Sequence, residues 1–212
     1  MLFQLGEIRI ILDVTLSSLL ILGYLFIAIA GAFNLKREEK LNGSIFLIII
    51  GAVEILYEIL KFRLYNMILT VMGYTLESMS ITYTIWNIIP YIISIFTFGI
   101  LIIILGKKNK ENFGKTLLLS GIFWIVYSVM ILIKNIVIFP FSLLPIPPIV
   151  VITFQIVAVV FITFMVLSRI FLMLYGSKIS ERYLFGSSII LLIASTVLII
   201  YSILGLIMIY MP

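Results

Sequence analysis

Long apolar runs separated by short charged clusters dominate this chain. The first run extends from Ile10 to Leu35 and ends at Lys36-Arg37-Glu38-Glu39-Lys40, and the second goes from Ser44 to Phe62. A third, from about Ile81 to Leu105, stops before Lys107-Lys108-Asn109-Lys110. The fourth covers Thr116 to Phe139 and gives way to a connection holding Pro140, Pro145, Pro147 and Pro148. The fifth spans Ile149 to Tyr175 and the sixth Phe185 to Met211. Each run is apolar almost all the way round, as a lipid-embedded helix is, and is near the length of about 20 residues that crosses a bilayer core. Strands of a membrane barrel would alternate over about ten residues, and no such alternation occurs. The pattern predicts an all-α polytopic membrane bundle of about six transmembrane helices, one membrane domain over 1–212. Its hairpins fall at about 10–62, 81–139 and 149–211. The stretch 64–80, interrupted by Asn66, Gly73, Glu77 and Ser78, is expected to lie in the membrane interface, with a re-entrant piece lining a cavity as the alternative.

Composition agrees with that solvent. Of 212 residues, 64% are hydrophobic and 11% charged, against roughly half and a quarter in soluble domains. Mean hydropathy is +1.34. There are too few polar side chains to cover a water-facing surface. The chain has no Cys and no His, which removes disulfides, histidine-ligated haem and the usual zinc or copper sites. It also removes the commonest general base. Asp13 is the only aspartate, so an aspartyl dyad cannot form within one chain. The expectation is a protein that is not an enzyme and takes no cofactor. The abundance of isoleucine points weakly to a prokaryote. Glu7 stands where a signal peptide would be positive and no small-residue cleavage site follows, so the first run is expected to persist as a span.

Charge sets the expected threading. Lys36, Arg37, Lys40, Lys107, Lys108, Lys110, Lys115, Lys178 and Arg182 fall in the connections after runs one, three and five. The other connections and ends hold only Arg9, Lys61, Arg63 and Lys134. The positive-inside rule places the three short loops in the cytoplasm of a cell membrane and both termini outside. The pI near 9.4 then reflects orientation and contact with anionic lipid. The expected partners are the lipid bilayer and either a homo-oligomer or other membrane subunits, with no nucleic acid.

The hairpins resemble one another. Lys36-Arg37, Lys107-Lys108 and Lys178 recur at a spacing near 71. The second helices carry Gly51…Tyr57-Glu58, Gly121…Tyr127-Ser128 and Ser195…Tyr201-Ser202. Positions seven apart share one helical face, and small residues let helices approach closely in lipid. These matches suggest three α-hairpin repeats around a pseudo-threefold axis. Apolar helices that align by chance are the alternative. Mitochondrial carriers also have three hairpins, but their Pro-x-acidic-x-x-basic signature is absent, since Pro90 is followed by Tyr91 and Ile92.

Charges within spans are expensive and usually face protein or water. Glu54 lies ten residues beyond Ser44, near the expected midplane. Glu58 and Lys61 follow on the same face. With Asp13, Lys134, Asn87 and Gln155 in the same half, they form a candidate polar path open to the outside. A structural Glu–Lys network, Glu58 with Lys61 or Glu54 with Lys134, would account for the same residues. Arg169, in the inner part of the fifth helix, is expected to snorkel to cytoplasmic headgroups or to contact lipid or a partner subunit. Gly114-Lys115-Thr116 is no phosphate loop, because Asn109 occupies the position of the upstream glycine and no strand precedes it. Two functions follow: transport or permeation of a small ion or solute near Glu54, or a non-catalytic accessory subunit of a larger membrane complex.

Overall fold

In lipid an apolar segment must satisfy every backbone N–H and C=O within itself, which makes helix the local solution. The computed structural model describes residues 2–37, 43–72, 81, 84–85, 87–109, 113–138, 148–179 and 181–210. Six long helices account for nearly all of them: α1 (Leu2–Arg37), α2 (Ile45–Met72), α3 (Ile89–Lys108), α4 (Gly114–Ile138), α5 (Pro148–Lys178) and α6 (Arg182–Tyr210). In α3 the hydrogen bonding widens to a π-helix over Ile95–Ile100. Among the described residues, five of the six are long and apolar enough to cross a membrane. The exception is α2, which carries four charges, Glu54, Glu58, Lys61 and Arg63. The protein is a helical membrane bundle. The second apolar run was expected to end at Phe62, yet α2 continues to Met72. The remainder of the proposed interfacial stretch, 73–80, lies outside the described residues.

Each helix packs on its neighbours in chain order, and α6 returns to α1, so the six close into a ring. The α2–α3 seam is the loosest of the six contacts. Apolar burial does not draw helices together in lipid, so close backbone approach must do so. Glycines supply it at repeated positions. A Cβ on Gly31 would meet the Ser44 carbonyl at 2.7 Å and the Ile48 nitrogen at 2.9 Å. One on Gly106 would meet the Gly114 carbonyl and the Leu118 nitrogen, both at 2.8 Å, and one on Gly176 would meet the Phe185 nitrogen at 2.8 Å. Seven residues deeper, a Cβ on Gly51 would lie 2.5 Å from the Tyr24 carbonyl oxygen, and one on Gly121 would lie 2.8 Å from that of Gly99.

These approaches give the three hairpins a common count. Measured from them, Ser44, Gly114 and Glu181 hold like positions at or just before the starts of α2, α4 and α6. Their fully buried faces run Leu47-Gly51-Glu54, Leu117-Gly121-Trp124 and Leu184-Ser188-Leu191. The third small residue is therefore Ser188, and Ser195 instead matches Glu58 and Ser128. Ser195, the match from sequence spacing, lies seven residues, about two turns, further along α6. The turns agree with this register. Gly43 has φ +91° and Phe113, at the matching position, φ +58°. The Phe46 and Thr116 amides donate back to their carbonyls at 2.9 and 3.0 Å. Adjacent turns are also pinned, with Lys108 Nζ 4.8 Å from the Phe46 ring centroid and Lys178 Nζ 4.7 Å from that of Phe113.

Between the turn end and the middle of the ring, each hairpin contributes two side chains with no exposure: Ile27 and Leu47, Ile102 and Leu117, Leu172 and Leu184. This layer is aliphatic. Glu54 and Arg169 lie on its far side from the turns, while Asn34, Asn109 and Glu181 are buried on its turn side.

Candidate functional site

The candidate site begins at Glu54, ten residues, or about 15 Å of helix, from the turn at Ser44. That distance is half of a hydrocarbon core of about 30 Å. Glu54 is 7% exposed. Its Oε1 accepts a hydrogen bond from Thr97 Oγ1 at 2.5 Å, which crosses the loose α2–α3 seam. Thr97 sits in the π turn of α3, a kind of local widening that often accompanies functional sites. Its hydroxyl also lies 2.9 Å from the Ile93 carbonyl, so one proton serves two acceptors. Nearer the chain termini, the Tyr57 hydroxyl of α2 donates to the carbonyl of Ile85, which precedes α3.

Arg169 enters from α5, the helix opposite α2 in the ring, seven residues before Gly176. That is the repeat position held by Tyr24 before Gly31 and Gly99 before Gly106. Arg169 is 2% exposed. Nη1 donates to the Leu191 carbonyl and to Ser195 Oγ on α6, and the guanidinium carbon lies 5.3 Å from the Trp124 ring centroid. Nε is buried and has no partner. Every one of these contacts is neutral, and no ion pair joins Arg169 to Glu54 among the described residues.

Aromatic rings occupy the space between the two charges. Trp124 donates through Nε1 to Ser94 Oγ at 2.6 Å and packs on Phe98 with centroids 4.6 Å apart. Phe98 meets Tyr24 edge-on at 6.4 Å, joining α3 to α1. Tyr24 lies within electrostatic reach of both Glu54 and Arg169. All six helices thus contribute to one level of the ring. Trp124→Phe should weaken the bundle by about 1 kcal/mol through loss of the indole hydrogen bond. Combining it with Ser94→Ala should add little, and a double-mutant cycle from unfolding in mixed micelles would measure that coupling.

Of the residues singled out from sequence, Glu54, Glu58 and Lys61 do share one inward face. Glu58 is 8% exposed and pairs with Lys61 at 2.5 Å. The alternative Glu54–Lys134 pair does not form, because Glu54 turns toward α3 while Lys134 lies half-buried far along α4. Asp13 is half-buried near the terminal end of α1 and is not brought to Glu54. Asn135 of α4 donates to the Asn87 carbonyl at 2.5 Å, and the Gln155 side chain lies outside the described positions. Arg169 is the clearest correction. It does not snorkel to headgroups or face lipid, because α6 and Trp124 hold the guanidinium inside the ring. Among the described residues no three acidic side chains gather as a metal cage.

No family model, curated protein or solved structure matches this chain. The site therefore rests on its own chemistry. Sequence spacing did not reveal Thr97, Tyr24 or Ser195 as its members, since hydroxyl-bearing residues are common throughout the spans.

Proposed function

We propose that this protein transports a small ion or polar solute through the interior of the ring, past Glu54, and that it does so without catalysing a chemical reaction. The observation that carries the reading is a buried acid and a buried base turned into one interior level from opposite helices, unpaired with each other. Burying a charge is expensive, and a bundle needing only rigidity gains more from apolar packing. The buried aliphatic layer toward the turns supports a path closed on that side, and the basic turns support a cytoplasmic assignment for it. The path would then open outward in a cell membrane.

Glu54→Gln keeps the shape and the Thr97 contact but removes the charge. Flux into liposomes carrying the purified variant is expected to fall at least tenfold, which is about 1.4 kcal/mol of lost stabilisation, while the protein elutes as the native species. Unchanged flux would defeat the transport reading. Absence of flux from the native protein, with a second membrane subunit co-purifying at fixed ratio, would favour an accessory role instead.

A further inference from the structure

Resting on that transport reading, we propose that the solute is a small zwitterion, held with its ammonium group toward Glu54 and its carboxylate toward Arg169. Three observations support this class over a simple ion. First, the two charges project from opposite helices into the same level and do not neutralise each other. A lone cation near Glu54 would meet repulsion from Arg169, and a lone anion near Arg169 would meet repulsion from Glu54. A molecule carrying both charges is complementary to the whole level.

Second, Arg169 has a donor to spare. Nη1 is committed to the Leu191 carbonyl and Ser195 Oγ, while Nε is buried without a partner. The planar guanidinium fork binds a carboxylate through parallel N–H donors. Its fixed contacts to α6 hold the fork in place before any solute arrives.

Third, the span suits a small molecule. Neighbouring helices sit about 8–10 Å apart, so opposite helices of a six-membered ring are about 16–20 Å apart. Tyr24, Phe98 and Trp124 pack across that span, so only a small solute can pass between the two charges, and its ammonium group meets an aromatic face.

Three probes on one scaffold test the proposal in liposomes holding the full chain: alanine, its cation-only amide alaninamide, and its anion-only derivative N-acetylalanine. Alanine uptake is expected to exceed that of either singly charged probe at least tenfold. Arg169→Gln should lower alanine uptake at least tenfold while favouring alaninamide relative to it. Arg169→Lys, which keeps the charge but lacks the fork, should fall between the two. That variant also serves if Arg169→Gln fails to elute as folded protein. Alanine uptake indifferent to Arg169, or a native preference for either singly charged probe, would overturn the proposal. If alanine does not move but a proton or potassium flux dependent on Glu54 does, only the zwitterion assignment falls. If none of these moves, the transport reading falls with it.

Discussion

Gly51→Leu is expected to cost about 3 kcal/mol or more and to prevent recovery of a folded monomer. A Cβ at position 51 would lie 2.5 Å from the Tyr24 carbonyl oxygen, 2.7 Å from Ala28 Cβ and 2.9 Å from the Ala28 nitrogen. Two of these three atoms are backbone and cannot rotate away. Overpacking usually costs about 1–3 kcal/mol, and here the whole of α1 would have to move off α2. Gly121→Leu should behave alike, because its Cβ would meet the Gly99 carbonyl at 2.8 Å and the Ile103 nitrogen at 3.1 Å. Gly186→Ala is the control: its Cβ would find only Phe26 ring atoms, at 3.6 and 3.7 Å, and helix propensity favours alanine by just under 1 kcal/mol. Denaturation by added SDS measures all three. Equal losses at 51 and 121 with none at 186 would support the repeat, whereas a tolerated Gly51→Leu would contradict the close α1–α2 approach.

Arg169→Met should leave the protein as stable as before, or up to about 4 kcal/mol more stable, while abolishing transport. The guanidinium has given up water for a carbonyl, a hydroxyl and an aromatic face, with no opposite charge to offset its desolvation. Methionine fills similar volume without that cost. Nor does the change orphan a partner, since Ser195 Oγ already donates to the Leu191 carbonyl at 3.0 Å. Stability and flux should therefore move in opposite directions. A loss of stability above about 2 kcal/mol would instead identify Arg169 as a structural tie between α5 and α6, because removing one half of a needed buried contact is costly.

Much of the fold was legible before any coordinates. Apolar runs bounded by Lys107-Lys108 or Lys178 are each close to one bilayer in length, and only helix satisfies such a backbone in lipid. The inward face of α2 was also legible, because Glu54, Glu58 and Lys61 recur at helical spacing and are too polar for lipid. The sequence match at Ser195 and the packing position at Ser188 differ because tyrosine and serine recur often enough to match at more than one offset. What separates Ser188 from Ser195 is which turn of α6 lies nearest α5, a fact held in the Gly176–Phe185 approach and not in either residue type. Arg169 was misdirected for a related reason. A long side chain seven residues from a helix end can reach water or turn inward, and its own sequence neighbourhood is the same in both cases.

By itself the sequence determined the solvent, the secondary structure, the approximate helix boundaries and the charge asymmetry between the two ends, since each depends on composition or on periodicity along a single segment. Tertiary structure alone decided that the helices close into a ring, that α2 and α5 stand opposite each other, and that Glu54 finds Thr97 while Arg169 finds Ser195. Those outcomes depend on rotations of whole helices about their axes. The rotations are set by a few backbone contacts at glycine, between residues as distant in the chain as Tyr24 and Gly51, and no local pattern encodes them.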